Sequence, residues 1–180
     1  RSRRVLAIAG GANYRSEFIE RLKQTRDRRV RFLGHVSNEE HVKELHCNAY
    51  AYVHGHSMGG TNPSLLKALG CGNCVVALRT PFNEEVLRDY GIIFERDASD
   101  LAAKLEHLDA NPQVAEAYRR RAPERIRQAY TWDKITDQYQ ELFLQLAAGE
   151  NPALSHSSVL HDAKSGGEIG RPAETAWTRS

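Results

Sequence analysis

Short apolar runs punctuate the first half of the chain at Val5–Ala9, Val30–Leu33, Ala49–His54, Cys74–Leu78 and Gly91–Phe94. None alternates strictly between apolar and polar residues, so each is expected to be a strand covered on both faces, as in a parallel sheet. Between the runs, apolar residues recur at helical spacing. Ser16–Thr25 carries Phe18, Ile19 and Leu22 on one side, Asn38–Cys47 carries Val42 and Leu45, and Asn62–Gly70 carries Leu65, Leu66, Ala68 and Leu69. A short helix is predicted over Glu84–Arg88. This strand–helix alternation predicts an α/β fold, a Rossmann-like doubly wound parallel sheet. After Phe94 the pattern is helical only, over Ser99–Leu108, Gln113–Ala129 and Trp132–Ala147. From Gly149 to Ser180 the chain is rich in Ser, Gly, Ala and Pro, has no period, and is expected to be disordered. The predicted division is a folded domain over 1–148 and a tail over 149–180.

The tract His54-Gly-His-Ser-Met-Gly-Gly-Thr-Asn-Pro-Ser-Leu-Leu-Lys-Ala-Leu-Gly-Cys-Gly72 changes that picture most. It leaves a strand, passes a Gly59-Gly60 turn and enters a helix that Thr61 or Asn62 can cap, with Pro63 in the tolerant first turn. Small residues around a helix N-terminus leave backbone N–H groups and the positive end of the helix dipole open to an anion, most simply a phosphate. The same turn is also ordinary α/β construction, and local pattern does not separate the two.

Composition narrows the class. With 180 residues, 41% of them hydrophobic, the chain has enough apolar material for one soluble domain. A formal net charge of +2 gives no bulk affinity for nucleic acid. The Arg-rich stretches Arg1–Arg4, Arg26–Arg31 and Arg119–Arg127 suit either an acidic lipid or domain partner or simple solvation of exposed faces. No apolar run is long enough to span a bilayer, and no signal-peptide pattern is present. Cys47, Cys71 and Cys74 do not make a disulfide framework, which fits a reducing cytoplasm.

Among chemistry-bearing side chains, His56 leaves a strand end where ligands of α/β sheets bind. His54 and His56 share one side of a strand, but no third ligand stands at a convincing spacing, so no metal is expected. Cys71-Gly-Asn-Cys74 has redox-motif spacing, yet it ends a helix and enters a strand, and small core residues are the expected role. Asn83, followed by Glu84 and Glu85, reads as a ligand contact or as a helix N-cap.

In order, Val5-Leu-Ala-Ile-Ala-Gly-Gly11, Arg29-Val-Arg-Phe-Leu-Gly-His-Val36, the strand Ala49 to His54, the Gly59-Gly60 tract and Tyr130-Thr-Trp-Asp-Lys-Ile135 resemble the C-terminal, donor-binding domain of a GT-B glycosyltransferase. The resemblance runs from Val5 to about Leu146 and is to the GT4-like retaining enzymes. The spelling of the tract is similar to a bacterial rhamnosyltransferase-like branch. It implies one half of a GT-B fold binding a nucleotide-diphosphate sugar, with no cofactor and no metal. The implied setting is bacterial surface polysaccharide synthesis, in the cytoplasm or peripheral at the inner face of the plasma membrane, without nucleic acid as a partner. The donor-binding residues it implies are Gly10, Gly11, Gly34, His35, His56, Gly59, Gly60, Thr61, Asn62, Ser64, Lys67 and Asn83. The family's two glutamates fall on Gly59 and Lys67, so neither acid is present. An ammonium at 67 cannot accept the ribose hydroxyl hydrogens that a carboxylate would, although it can pair with a phosphate. By the resemblance, the domain's first strand, with its Arg and Lys, and the acceptor-binding N-terminal domain precede Arg1. A fragment inactive alone is therefore expected, with a non-catalytic nucleotide-binding remnant as the alternative.

Overall fold

The computed structural model describes residues 3–11 and 17–149, with Phe18 described by its backbone alone. The elements run β1 (Leu6–Ala9), α1 (Glu17–Lys23), β2 (Val30–Gly34), α2 (Glu39–Asn48), β3 (Ala51–His54), α3 (Pro63–Gly70), β4 (Cys74–Leu78), α4 (Pro81–Leu87), β5 (Ile92–Phe94), α5 (Ala98–Ala110), α6 (Pro112–Ala129) and α7 (Trp132–Ala147). The α/β alternation read from the sequence is present throughout. The disorder expected of the tail lies outside the described residues beyond Gly149.

Local chemistry explains the helix starts. Asn38 caps α2 by accepting from the Glu40 and His41 amides, and Asn62 caps α3 by accepting from Ser64 N. Asp97 does the same for α5 at Ser99 N. The predicted short helix differs. It begins at Pro81, not Glu84, because Thr80 is its cap, accepting from Asn83 N at 3.1 Å. Asn83 is thus inside the first turn and is not the N-cap.

All strand pairing is parallel. β1 pairs with β2 from Leu6↔Val30 to Ala9↔Gly34, with an irregularity between Ile8 and Ala9. β3, β4 and β5 form a second sheet, with Ala51↔Cys74 to His54↔Ala77 on one side of β4 and Val76↔Ile92 to Leu78↔Phe94 on the other.

Every residue of β4 is buried. Val75 and Ala77 pack with Leu65, Ala68 and Leu69 of α3, Val86 and Leu87 of α4 and Ala122 of α6. On the opposite face Cys74, Val76 and Leu78 meet Phe94, Leu108 and Ala115. Each fully buried leucine there removes enough apolar surface from water to contribute about 1.5–3 kcal/mol. The expectation of two covered faces therefore holds at β4 but not at β1 and β2, where Leu6, Phe32 and Leu33 are exposed.

The Arg-rich stretch of α6 is largely consumed by the fold. Arg125 is buried and donates to Val86 O at 2.7 Å and Glu85 O at 2.9 Å, and Arg119 donates to Ala49 O. Arg120, Arg121 and Arg127 pair with Glu116, Asp89 and Glu124. Reading this stretch as a solvated or lipid-facing face misses the carbonyls that Arg119 and Arg125 satisfy.

Among the described residues, those up to Trp132 group into one compact unit and Asp133–Gly149 belong to a second. In the second, α7 has no buried residue, and Tyr139, Leu142, Phe143, Leu144 and Leu146 are exposed. No helix among the described residues is long and apolar enough to cross a membrane.

Candidate functional site

The C-terminal ends of parallel strands converge on the residues that the sequence singles out. β3 ends at His54, and the chain then runs through Gly55, His56 and the Gly59-Gly60 turn into α3. β4 ends at Leu78 and leads through Thr80 into α4. Between these two strand exits lies a shallow, open depression lined by His56, Met58, Gly59, Gly60, Asn62, Thr80, Phe82 and Asn83. Most of its lining residues are exposed, so it is a shallow wall along the two strand exits.

The glycines keep the wall open. Gly59 has φ +103°, a conformation that side chains rarely adopt, and a Cβ built there or at Gly60 meets nothing within 4 Å. Asn62 fixes the start of α3, with its carbonyl accepting from Leu65 N at 3.0 Å. Asn62, the N-cap, lines the depression, so the positive end of the eight-residue helix borders it. Thr61 and Ser64 are exposed beside it.

Asn83 ties the two strand exits together. It is buried, and its Nδ2 donates to His56 O at 3.1 Å and to Leu78 O at 2.9 Å. With both amide hydrogens committed to the backbone, the group Asn83 has for a ligand is its acceptor Oδ1. Its main work in this structure is to hold the His56 loop against α4, a role the sequence did not disclose.

Behind the wall runs a ladder of rings. The His46 and Tyr52 centroids are 5.1 Å apart, Tyr52 and His54 are 5.8 Å apart, and His54 stacks on His56 at 5.6 Å and 17°. The Tyr52 hydroxyl lies 3.3 Å from His54 Nδ1. His54 Nε2 is buried with no hydrogen-bond partner. Burial, and then the neighbouring His56, hold the His54 imidazole below its usual pKa. Burial does the same to His46, with the Lys67 charge adding to it. Among the described residues, no three His, Cys, Asp or Glu side chains converge as a metal site would require.

Lys67 is exposed on α3 and is not among the residues lining the depression. The glycines predicted at the other strand ends form a separate group. Gly10 N donates to Gly34 O at 2.8 Å, and Gly11 approaches the His35 side chain to 3.8 Å from its would-be Cβ. Gly10 and Gly34 have φ +134° and +68°, which explains why glycine occupies each turn. The Ala12-Asn13-Tyr14 continuation of that turn lies outside the described residues.

Comparison with known proteins agrees with this arrangement. An uncharacterized glycosyltransferase of Methanocaldococcus jannaschii is 28% identical over 138 residues, which is 72% of this chain and 35% of that protein. Sucrose-phosphate synthase from Thermosynechococcus elongatus superposes with a TM-score of 0.65 at 23% identity, covering 80% of this chain and 39% of that one. A GtfA/B complex superposes equally well, TM-score 0.65, at 12% identity over 78% of this chain and 29% of that one. The chain thus spans little more than a third of the curated relative, and the architecture is that of half a GT-B fold. Both strand exits, with the Gly59-Gly60 turn that follows β3, fall inside residues 2–141, which match the glycosyl transferase-like family, and to that family the chain belongs.

Proposed function

We propose that this domain binds the nucleotide-diphosphate sugar donor of a retaining glycosyltransferase. The diphosphate sits at the N-terminus of α3, and the sugar lies against His56 and the Asn83 Oδ1. The observation that carries this reading is the unobstructed Gly59-Gly60 turn ahead of an Asn62-capped helix, beside His56 and at parallel strand ends. The Gly10-Gly11 and Gly34-His35 turns are the proposed contacts of the nucleoside.

The chemistry follows from the wall. Breaking a glycosyl–phosphate bond leaves negative charge on the diphosphate, and a helix N-terminus stabilises that charge without a metal. The proposed transfer is of a hexosyl unit in bacterial surface polysaccharide synthesis, with a rhamnosyltransferase-like relationship. It takes place in the cytoplasm or peripherally at the inner face of the plasma membrane. An acceptor-binding domain is the partner proposed for turnover. Family membership and the GT-B half-fold support the reading.

A second reading, nucleotide binding without catalysis, is favoured by Gly59 and Lys67 standing at the family's glutamate positions. Titration by NMR tests the binding claim common to both. A nucleoside diphosphate is expected to bind on the order of millimolar, the affinity of a single open wall, whereas the parent nucleoside gives no saturable shifts. Equal responses to the two would remove the phosphate from the account.

A further inference from the structure

We propose that His56 meets the diphosphate as an imidazolium, and that the neutral ring of His54 stacked against it holds it there. The inference rests on the donor-binding reading and names the group that answers the ligand's charge. A helix N-terminus offers only partial positive charge to a leaving diphosphate. Among the described residues that line the depression, His56 is the one whose side chain can become a cation. It is exposed, and its backbone carbonyl accepts from Asn83 Nδ2 at 3.1 Å, which fixes the loop. Its ring lies 5.6 Å from that of His54, with 17° between the planes.

The two imidazoles are not equivalent. His54 is only 4% exposed and its Nε2 has no hydrogen-bond partner, so a charge there would be buried without compensation. The Tyr52 hydroxyl lies 3.3 Å from Nδ1, and burial pushes its pKa up, so it keeps its proton and donates. The His54 ring hydrogen is then on Nε2, and the ring is neutral. Burial, and then the neighbouring His56, hold its pKa down in the same sense. Two imidazolium rings this close would repel, which leaves one proton for the pair, and the exposed ring takes it. The charged groups on the adjoining elements act elsewhere. Arg79, at the exit of β4, bonds Glu84 and Glu95, and Lys67 of α3 acts on His46, at the far end of the ladder of rings. Thr80, Phe82 and Asn83, which line the depression from the start of α4, do not titrate. An anion entering the depression therefore draws a proton from solvent onto His56.

Ring NMR of the isotope-labelled chain, with and without a nucleoside diphosphate at matched ionic strength, reads the proton directly. The His56 titration midpoint is expected to rise by about one pH unit on binding, while the His54 ring takes up no proton. By linkage, the advantage of the unaltered chain over His56→Gln in affinity should grow about 10-fold from high to low pH. That comparison cancels the ligand's own protonation. His54→Phe, which keeps an uncharged ring against His56, should retain the gain, and His54→Ala should lose most of it. An undiminished gain in His54→Ala would overturn the positioning role of His54. Saturable amide shifts at 59–64 with the His56 midpoint unmoved, or with the proton on His54, would overturn the proposal and leave the donor-binding reading standing. Absence of saturable shifts at 59–64 would overturn both.

Discussion

At position 67 an ammonium stands where the related enzymes are expected to carry a carboxylate, and its charge is felt by His46. Lys67→Glu reverses that charge, so the His46 imidazole is expected to titrate at higher pH in the variant, as followed by its ring NMR signals. The same substitution is expected to tighten binding of a nucleoside diphosphate about 10-fold, the lower end of a charged hydrogen bond because the position is exposed. The gain should vanish with an analogue lacking ribose hydroxyls. Weaker binding, with salt reducing the difference, would show that Lys67 holds phosphate instead. Restoring the other acid is a different matter. Gly59 has φ +103°, so Gly59→Glu strains the turn whatever space surrounds it. His54 and His46 make stability depend on pH. Their folded-state pKa values lie below the unfolded value, so the unfolded chain binds protons first and stability falls as pH drops through about 6.5. The thermal midpoint should therefore fall between about pH 7.5 and pH 5.5, and His54→Asn should flatten that slope. An unchanged slope would mean that the buried imidazole is already compensated.

Helices and strands were legible where one physical rule governed them. Cys74–Leu78 is a strand with the expected bounds because five consecutive small or apolar residues fit a sheet covered on both faces. Asn62 caps α3 because an Asx side chain before Pro-Ser is suited to that position. The misplaced start of α4 came from preferring Asn83 as a cap over Thr80, when Thr80-Pro81 carries both signals of a helix start. Long-range uses of polar groups were illegible. Nothing local marks Arg125 as the residue that crosses to Val86 O and Glu85 O, or Asn83 as the tie to His56 O. Arg125→Met leaves both carbonyls without their charged donor, and a loss of about 2–3 kcal/mol is expected. Differential scanning calorimetry should show this as a midpoint lower by about 5–10 °C. Gly72→Ala tests the α3–β4 turn, where φ is +72° and the new Cβ would stand 3.3 Å from Arg119 O. A cost of about 1–2 kcal/mol is expected from denaturant titration.

For the molecule as a whole, the sequence conveyed the fold class, because that depends on strand–helix order. It did not convey how the strands divide between two sheets, since parallel pairing joins segments far apart in the chain. Residues brought together by that pairing, such as Gly10 with Gly34, were named singly and became a group only in three dimensions. The domain presents one open wall, with glycine turns, a helix N-terminus and His56 aligned along strand ends. This wall is proposed to receive a diphosphate. Amide NMR of the isotope-labelled chain, titrated with a nucleoside diphosphate, tests it most directly. The largest saturable shifts are expected on Gly59, Gly60, Thr61 and Ser64, with smaller ones at Gly11 and Gly34. Saturable shifts confined to other surfaces, with the amides of 59–64 unmoved, would contradict it.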